Sequence, residues 1–428
     1  MKENSIDEEE EELGERKEGV EDDEDQFIGQ ILFNKYKLIK KIGQGCFGSI
    51  YEAQLIGTNK YYAIKFEDMN QSQYMLENES YFLSYLNIPQ IPKFKSFGYT
   101  GSFMVLIMEL LGKSLDNILN EIPNKKLSLR CVCNIAYQLL TILELIHDSS
   151  IIHRDIKPGN IAVGGGERSK YIYLLDFGLS AQYRDINTKK HFPFNEGNKL
   201  IGNARYSSIN SLKGGTQSPR DDLESLGYLL IYLLLGKLPW QGYVSHSKED
   251  KYYKIKQIKE KTTPEQLCQG LPNLLANYIN YTRSLKYEDE PNYNYLKKLF
   301  LSMLDYKGLK FDFFYDWNKG QQTDKYREQY KVKNYDLFYY KKNKNIIPSI
   351  SKEIKDLINE RKSLKEIFGN NKCVSIKDES DWIIQSLCYD SEESSYSNKN
   401  DSTKISNENK GINKQKRRKN ESGCCLVF

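Results

Sequence analysis

The chain has 428 residues, and its apolar share of 39% is enough to build the core of two or three lobes. Its formal net charge of +4 is too small to indicate a nucleic-acid partner by itself. The cysteines show no zinc-site or disulfide spacing and the N-terminus resembles no signal peptide, so we expect a protein of the reducing cytosol.

The N-terminal segment is strongly acidic. Residues 3–25 are dominated by Glu and Asp, including an unbroken run at 7–12, and they contain almost no aromatic or β-branched side chains. A segment of this composition cannot bury enough apolar surface to fold. We predict that residues 1–30 form an acidic, disordered tail.

A glycine-rich turn follows a predicted strand at residues 36–39. Glycines allow such a hairpin to approach phosphate groups closely, with backbone N–H groups as donors. The same spacing opens dinucleotide-binding domains, but those continue into a helix, whereas here a second strand is predicted at residues 61–65. The turn therefore predicts a site for the phosphates of a nucleotide. Its residues are Ile42, Gly43, Gln44, Gly45, Cys46, Phe47, Gly48, Ser49 and Ile50.

Lys65 ends the second strand, and alone it would be interpreted as a surface lysine. A partner is found at Glu79, within residues 74–86, where apolar residues at helical spacing predict an amphipathic helix. An ion pair between Lys65 and Glu79 would hold the lysine against the α- and β-phosphates. We therefore place both residues in the predicted nucleotide site.

The most informative stretch is HRDIKPGN at residues 153–160, with the tripeptide DFG at 176–178. Phosphoryl transfer requires a carboxylate to orient the attacking hydroxyl, a cation beside the departing phosphoryl group and oxygen ligands for Mg²⁺. Asp155, Lys157, and the pair of Asn160 and Asp176 match these three requirements. Two such motifs at this separation rarely coincide by chance, so the sequence predicts Mg²⁺-dependent transfer from ATP.

Three further motifs make a family resemblance specific. They are DFGLSAQYRD at 176–185, ARYSSIN at 204–210 and RDDLESLGY at 220–228. With them, residues 36–318 resemble the casein kinase 1 family of protein serine/threonine kinases, in which Ser-Ile-Asn stands where most kinases carry Ala-Pro-Glu. The resemblance implies an α+β, two-lobed protein kinase fold with a small β-rich N-lobe and a larger helical C-lobe.

The resemblance also assigns residues to an adenine pocket. It implies contacts above the base, below it, at the back of the pocket and from the hinge backbone. In that order these are Ile42, Ile50 and Ala63; Ala162; Met108; and Glu109, Leu110 and Leu111. Without the resemblance, each apolar residue in this set would be interpreted as ordinary core packing.

A basic pocket for protein substrates is implied as well. In the family it binds a phosphate or an acidic side chain three residues before the target Ser or Thr, and the matching residues are Arg205 and Lys251. A guanidinium offers phosphate two parallel hydrogen bonds, and a nearby ammonium adds charge. The alternative is that both residues are ordinary surface cations.

Four departures from the family pattern are present, one of them at a pair of residues. Gly159 replaces an Asp that points away from the chemistry, Ala162 replaces a Leu under the adenine, and the pair at 181–182 replaces basic or mixed residues. Asn203 replaces a Thr whose hydroxyl braces the catalytic Asp and Lys. This last change is the main argument against full activity.

Three classes of function therefore remain open. An active Ser/Thr kinase is favoured because all of its charged motif residues are present. A catalytically silent kinase fold that acts as a scaffold at the membrane is the alternative. A tyrosine kinase is the third, and Lys157 argues against it because common tyrosine kinases lack a lysine at that position.

The chain beyond residue 318 leaves the family pattern. Apolar residues at helical spacing within 353–368 predict that the extension 319–379 is partly helical. Residues 380–428 are polar and rich in Ser and Asn, which predicts a flexible linker. The apolar run at 223–235 is too short to span a membrane and fits a buried helix of the larger lobe.

The last residues predict lipid attachment. Residues 425–428, CLVF, fit the C-a-a-X pattern, in which Phe points to a geranylgeranyl group on Cys425, and Cys424 could take a palmitoyl group. The polybasic run KQKRRK at 414–419 supplies attraction to anionic lipid. We expect a peripheral protein on the cytoplasmic face of a membrane. The alternative is a nuclear localisation patch with an unmodified end.

The linker also contains serines at a spacing of three, Ser391, Ser394 and Ser397. If the substrate preference holds, each phosphorylated serine would prime the next. The alternative is a polar linker that happens to be rich in serine.

Overall fold

The computed structural model describes residues 27–45, 48–70, 75–243, 245 and 247–318, together with two later strands at 373–376 and 384–387. Over the main body of these residues the chain forms a β-rich N-lobe and a helical C-lobe, which confirms the predicted fold class. The predicted helix at 353–368, most of the acidic tail, the serine repeat and the C-terminal cysteines lie outside the described residues.

The N-lobe is an antiparallel sheet with the strand order β1-β2-β3-β4-β6-β5. The side chains of β4 point alternately into two buried clusters, with Ala63 in one and Ile64 and Phe66 in the other, as expected for a strand with a core on each face. One face packs on a helix and the C-lobe, while the other packs on a small cluster that includes Phe27. The strands are β1 Ile31–Leu32, β2 Tyr36–Gly45, β3 Gly48–Leu55, β4 Tyr61–Asp68, β5 Phe94–Thr100 and β6 Phe103–Glu109.

Helix α1, Met75–Tyr85, lies at the predicted position and packs against the sheet. Leu76, Phe82 and Leu83 bury its apolar face. The buried carboxylate of Glu67 accepts the N–H groups of Met75 and Leu76 at 3.3 and 2.5 Å. A carboxylate at a helix N-terminus satisfies donors that have no partner within the helix, so β4 fixes where α1 begins.

The C-lobe is built around two long helices, α3 and α5, whose central residues are fully buried. Helix α3 has the length and apolar character of a membrane span, but 72% of its most apolar stretch is buried inside the protein, as in a core helix. The helices are α2 Leu115–Glu121, α3 Leu129–Asp148, α4 Ile209–Leu212, α5 Pro219–Leu235, α6 Lys248–Lys261, α7 Pro264–Leu267, α8 Asn273–Ser284 and α9 Tyr293–Tyr306.

Helix α5 contains the apolar run at 223–235 and begins four residues before it. The Asp221 carboxylate accepts the backbone N–H of Ser218 at 2.8 Å, Pro219 occupies the first turn, and Gly236 ends the helix in the left-handed region at φ 74°. The prediction of a buried helix here is confirmed.

Four short strands lie where the lobes meet. Strands β7 Ile151–Ile152 and β10 Ala181–Gln182 pair with each other, as do β8 Ile161–Val163 and β9 Ile172–Leu174. These pairs fix the two ends of the loops that carry the HRDIKPGN and DFG motifs. Their antiparallel hydrogen bonds therefore position the central residues of the predicted site.

Two further strands, β11 Cys373–Ile376 and β12 Ile384–Leu387, continue the N-lobe sheet beyond β5. They lie in the stretches for which the sequence predicts an extension and a linker. The assignment of domains along the chain stays a prediction.

Candidate active site

The register of the N-lobe sheet brings the predicted nucleotide residues onto one face. Ile50 lies opposite Lys65 in the ladder between β3 and β4, and Ala63 lies opposite Met108 in the ladder between β4 and β6. Directly opposed residues point to the same side of a sheet. Three apolar side chains and the lysine are thus aligned by backbone pairing alone.

Lys65 joins both lobes of the site. Its Nζ lies 2.7 Å from Glu79 Oε2 on α1 and 3.2 Å from Asp176 Oδ1 in the DFG segment. Burial by itself would lower the pKa of Lys65, but Asp176 and Glu79 outweigh it and raise that pKa well above the ordinary value. The predicted ion pair between Lys65 and Glu79 is present, and the lysine is fully charged at neutral pH.

The catalytic loop places Asp155, Lys157 and Asn160 together. The Lys157 ammonium lies 2.8 Å from Asp155 Oδ2, and the amide nitrogen of Asn160 donates to the same oxygen at 2.9 Å. Asn160 also donates to the backbone oxygen of Asp155 at 2.9 Å. The Asp155 side chain is therefore held in one orientation by two neighbours on its own loop.

Asp222 of α5 anchors this loop from below. It accepts the backbone N–H groups of His153 and Arg154 at 2.7 and 2.8 Å and bonds His147 Nε2 at 2.9 Å. Burial alone would raise the pKa of Asp222, but these bonds lower it, so the carboxylate stays ionised. The sequence motif contains Asp222, yet its role becomes visible only in the fold.

The DFG segment is held in a costly backbone conformation. Asp176 has φ 61°, in the left-handed region that non-glycine residues rarely adopt. Next to it, Phe177 is fully buried against the ring of His153, with the ring centroids 5.0 Å apart. This packing keeps the carboxylate of Asp176 directed toward Lys65.

Helix α1 is tied to the same segment by a residue that sequence reasoning missed. The amide nitrogen of Asn78 donates to the backbone oxygens of Gly178 at 2.8 Å and Ser180 at 3.1 Å. Asn78 lies one residue before Glu79, so the helix that carries the ion-pair carboxylate is also hydrogen-bonded to the DFG segment. A polar residue beside Glu79 was the available signal, but spacing alone assigns it no partner.

Asn160 and Asp176 have the donor chemistry for a divalent metal. Carboxylate and amide oxygens are the ligands that hard cations such as Mg²⁺ prefer. Burial alone would raise the pKa of Asp176, but Lys65 and Lys157 lower it below its usual range. The amide nitrogen of Asn160 is bonded to Asp155, which leaves its oxygen as the ligand atom. The residues present therefore fit the predicted metal.

The residues of the predicted adenine pocket differ in their burial. Ala63, Met108 and Ala162 are buried, while Ile42 remains 40% exposed at the open edge. The side chain of Ser49 donates to Gln44 across the glycine-rich hairpin at 2.8 Å. The tip of the hairpin, Cys46 and Phe47, lies outside the described residues.

The hinge is braced from behind through the side chain of Glu109. One carboxylate oxygen contacts the guanidinium of Arg168, and the other accepts the backbone N–H of Lys93 at 3.2 Å. Arg168 lies in the turn between β8 and β9, the hairpin that carries Ala162. This ion pair therefore links the hinge to the pocket floor, and sequence reasoning did not foresee it.

The guanidinium of Arg154 forms a hydrogen bond within the protein. Its Nε donates to the backbone oxygen of Leu179 at 2.5 Å, and burial lowers its pKa to about 10, with Asp222 opposing that effect. The replaced pair, Ala181 and Gln182, forms β10 directly after this contact. Backbone pairing and Arg154 thus fix the start of the segment that follows DFG.

The segment around Asn203 closes onto the catalytic loop. Gly202 has φ 87°, and a side chain there would meet the backbone oxygen of Arg154 at 2.3 Å, so glycine is required. The backbone N–H of Asn203 donates to Asp155 Oδ1 at 3.2 Å, and its side-chain oxygen accepts the N–H of Arg205 at 2.9 Å. The bracing expected from a Thr hydroxyl is here supplied in part by the backbone.

The two predicted substrate cations lie on different elements. Arg205 is half-buried in the segment 203–208, where Trp240 Nε1 donates to its backbone oxygen at 2.7 Å. Lys251 is half-buried in the first turn of α6. Their assignment to a phosphate pocket stays a prediction.

This arrangement combines an ionised carboxylate with two lysines and oxygen ligands at one cleft between two lobes. It can position a nucleotide phosphate and orient a hydroxyl toward it. The family description that matches this chain is the protein kinase domain, over residues 36–308, which is more than half of its length. The chain belongs to the protein kinase family, which binds ATP with a divalent metal and phosphorylates protein substrates.

Proposed function

We propose that this protein is a serine/threonine kinase of casein kinase 1 type. The observation that carries the proposal is the 2.8 Å contact between the Lys157 ammonium and Asp155 Oδ2. A lysine in this place can stabilise charge on the γ-phosphate while the carboxylate orients an aliphatic hydroxyl. In common tyrosine kinases no lysine stands there.

Each residue of the site has a separate role in the proposed phosphoryl transfer. Asp155 orients the substrate hydroxyl and accepts its proton, and Lys157 neutralises charge that develops on the phosphoryl group. Asn160 and Asp176 hold Mg²⁺, which when bound with ATP supplies charge neutralisation at the phosphates. Lys65, fixed by Glu79, positions the α- and β-phosphates.

The contacts of the Ser208-Ile209-Asn210 motif support the casein kinase 1 type. Ser208 Oγ donates to Asp221 Oδ1 at 2.5 Å, and the Asn210 amide donates to the same oxygen at 3.1 Å. Two residues that replace Ala-Pro-Glu thus converge on a buried carboxylate of α5. These residues have a structural task that the usual kinase motif would not perform.

The test of activity uses the full chain with Mg²⁺, ATP and casein. We expect phosphate on Ser or Thr, abolished in Asp155→Asn. Phosphate on Tyr alone would contradict the Ser/Thr assignment. Wild-type incorporation no greater than that of Asp155→Asn would support the silent scaffold instead.

We further propose that substrates carry a phosphate or carboxylate three residues before the target. Arg205 and Lys251 supply the two cations, and doubly charged phosphate gains most from such a pair. Paired peptides with phosphoserine or alanine at that position test this preference. Equal kcat/KM values for the two peptides would remove it.

Membrane attachment is proposed from the C-terminal sequence. One lipid chain binds membranes only marginally, so stable attachment needs a second signal, and the basic run at 414–419 and Cys424 both offer one. Fractionation of cells that express wild type or Cys425→Ser tests it. We expect wild type in the membrane fraction on the cytoplasmic face and the variant in the soluble fraction. Equal distribution of the two proteins would refute the attachment.

A further inference from the structure

The proposed substrate pocket spans two elements of the C-lobe. Arg205 belongs to the segment 203–208, and Lys251 belongs to α6. Of the fourteen residues of this helix, all of them described, Ile255 and Lys259 are the buried ones. The position of Lys251 relative to Arg205 therefore depends on how these two side chains attach α6 to the lobe.

Lys259 makes the polar part of that attachment. Its fully buried Nζ donates to the backbone oxygens of Ala204 at 2.9 Å and Ser207 at 2.6 Å. Between these two carbonyls, Trp240 Nε1 bonds the oxygen of Arg205. Side chains from α6 and from the loop before it thus hold the backbone on both sides of Arg205.

The environment of Lys259 accommodates a buried lysine nitrogen. Its Nζ lies 4.7 Å from the ring centroid of Tyr228 and 4.8 Å from that of Trp240, and both ring faces attract cations. Burial lowers the pKa of Lys259 well below its ordinary value, the carboxylate of Glu224 opposes this effect only in part, and the guanidinium of Arg283 adds to it. Arg283 donates to the Lys259 backbone oxygen at 3.2 Å and so fixes the end of α6 as well.

We propose that Lys259 is a positioning residue that sets the separation of Arg205 and Lys251 and thereby the preference for substrates with an anion at the minus-three position. The inference rests on the proposed substrate pocket. A bare stabilising role for a buried lysine would affect all substrates equally. A positioning role must affect the primed substrate most, because only that substrate needs both cations at a fixed separation.

The chain offers a matched control. Lys297 of α9 is also buried and forms an ion pair with Glu144 of α3, away from the segment 203–208. Lys259→Met and Lys297→Met each replace a buried lysine nitrogen with an apolar side chain of similar length. Trp240→Phe is a third variant, which removes the bond to the Arg205 oxygen and retains an aromatic ring.

The experiment measures kcat/KM of the full-length wild type and variants for peptides with phosphoserine or alanine at minus three. It also measures KM for ATP and the melting temperature. For Lys259→Met we expect the ratio of primed to unprimed kcat/KM to fall about tenfold, equivalent to ~1.4 kcal/mol, with KM for ATP within about twofold of wild type. Lys297→Met should have a lower melting temperature than wild type but the same ratio of primed to unprimed kcat/KM.

The outcomes separate the two proposals. A wild type that does not discriminate between the peptides defeats the pocket itself. If the wild type discriminates between the peptides and a folded Lys259→Met discriminates equally well, the inference about Lys259 is wrong. If Lys259→Met does not fold, Trp240→Phe decides, because the inference requires a lower ratio and an unchanged one overturns it.

Discussion

The ATP side and the protein-substrate side of this cleft are held by different kinds of contact. On the ATP side, charged side chains meet each other, as in the ion pair of Lys65 with Glu79 at 2.7 Å. On the proposed substrate side, buried side chains meet backbone oxygens, as Lys259 and Trp240 do around Arg205. The first kind of contact leaves a motif in the sequence, whereas the second leaves almost none.

The largest expected effect tests the ATP side. Asp176→Ala removes a metal ligand and one partner of Lys65, and we expect kcat to fall by about three orders of magnitude or more. Asp305→Ala, at an exposed site near the end of α9, is the control and should keep wild-type kcat. Steady-state phosphorylation of casein measures both. Near-normal turnover of Asp176→Ala would mean that the assignment of the site is wrong.

Asn78→Ala tests whether contacts with backbone oxygens also matter on the ATP side. Asn78 lies on that side, but its side chain donates to backbone oxygens, as Lys259 and Trp240 do. The substitution leaves the oxygens of Gly178 and Ser180 without this donor. Leaving such groups unpaired costs ~1–3 kcal/mol, so we expect kcat to fall about tenfold through loss of the assembled DFG conformation.

The measurement on Asn78→Ala must distinguish a specific loss of kcat from a general loss of stability. Asn280→Ala removes a bond to Glu265 on the exposed surface of α8 and serves as the matched control. Chemical denaturation should show that both variants remain folded under the assay conditions, so that a loss of kcat cannot be attributed to unfolding. A tenfold loss of kcat in Asn280→Ala as well, or none in Asn78→Ala, would contradict the role given to Asn78.

The same difference between the two sides decides which features could be predicted from the sequence. Strands 36–39 and 61–65, helix 74–86 and the Lys65 ion pair could be predicted because each depends on short-range pattern or on opposite charges. Lys259 could not, because α6 is so rich in lysine that it resembles a solvent-exposed helix. Which lysine is buried depends on the position of Ala204 and Ser207, fifty residues earlier in the chain.

The role of Asp222 could be predicted from the sequence only in part. It lies in the RDDLESLGY segment that carries the family resemblance, but its function requires the backbone N–H groups of His153 and Arg154 to point at it. Those directions depend on the left-handed conformation of Arg154, at φ 70°. A sequence pattern carries no information about such a backbone angle at a non-glycine residue.

Asn203 lies at the boundary between the two sides. Asn203→Ala keeps the backbone bond to Asp155 but removes the side-chain oxygen that accepts the N–H of Arg205. A hydrogen bond of this kind is worth ~1 kcal/mol, so we expect kcat/KM for peptide to fall about fivefold while KM for ATP is unchanged. Asn203→Asp, which keeps an acceptor in the same place, is the control and should retain the hydrogen bond. A change in KM for ATP in Asn203→Ala would place this residue on the ATP side instead.

The last expected effect is on stability and not on activity, and it is a pH dependence on the substrate side. Burial raises the pKa of Asp221 to about 6, although bonds from Ser208 and the Ser218 N–H oppose the shift. Because the folded-state pKa lies above the unfolded one, the stabilising contribution is present below about pH 4 and is lost as pH rises through 6. Asp221→Asn imitates the neutral acid, so its free energy of unfolding should lack this decline. Relative to the variant, the wild type should therefore lose stability between pH 4.5 and 7, as measured by urea denaturation. Parallel curves for the two proteins would show that Asp221 does not take up a proton on folding, and that the Ser208 contact holds a permanently ionised carboxylate.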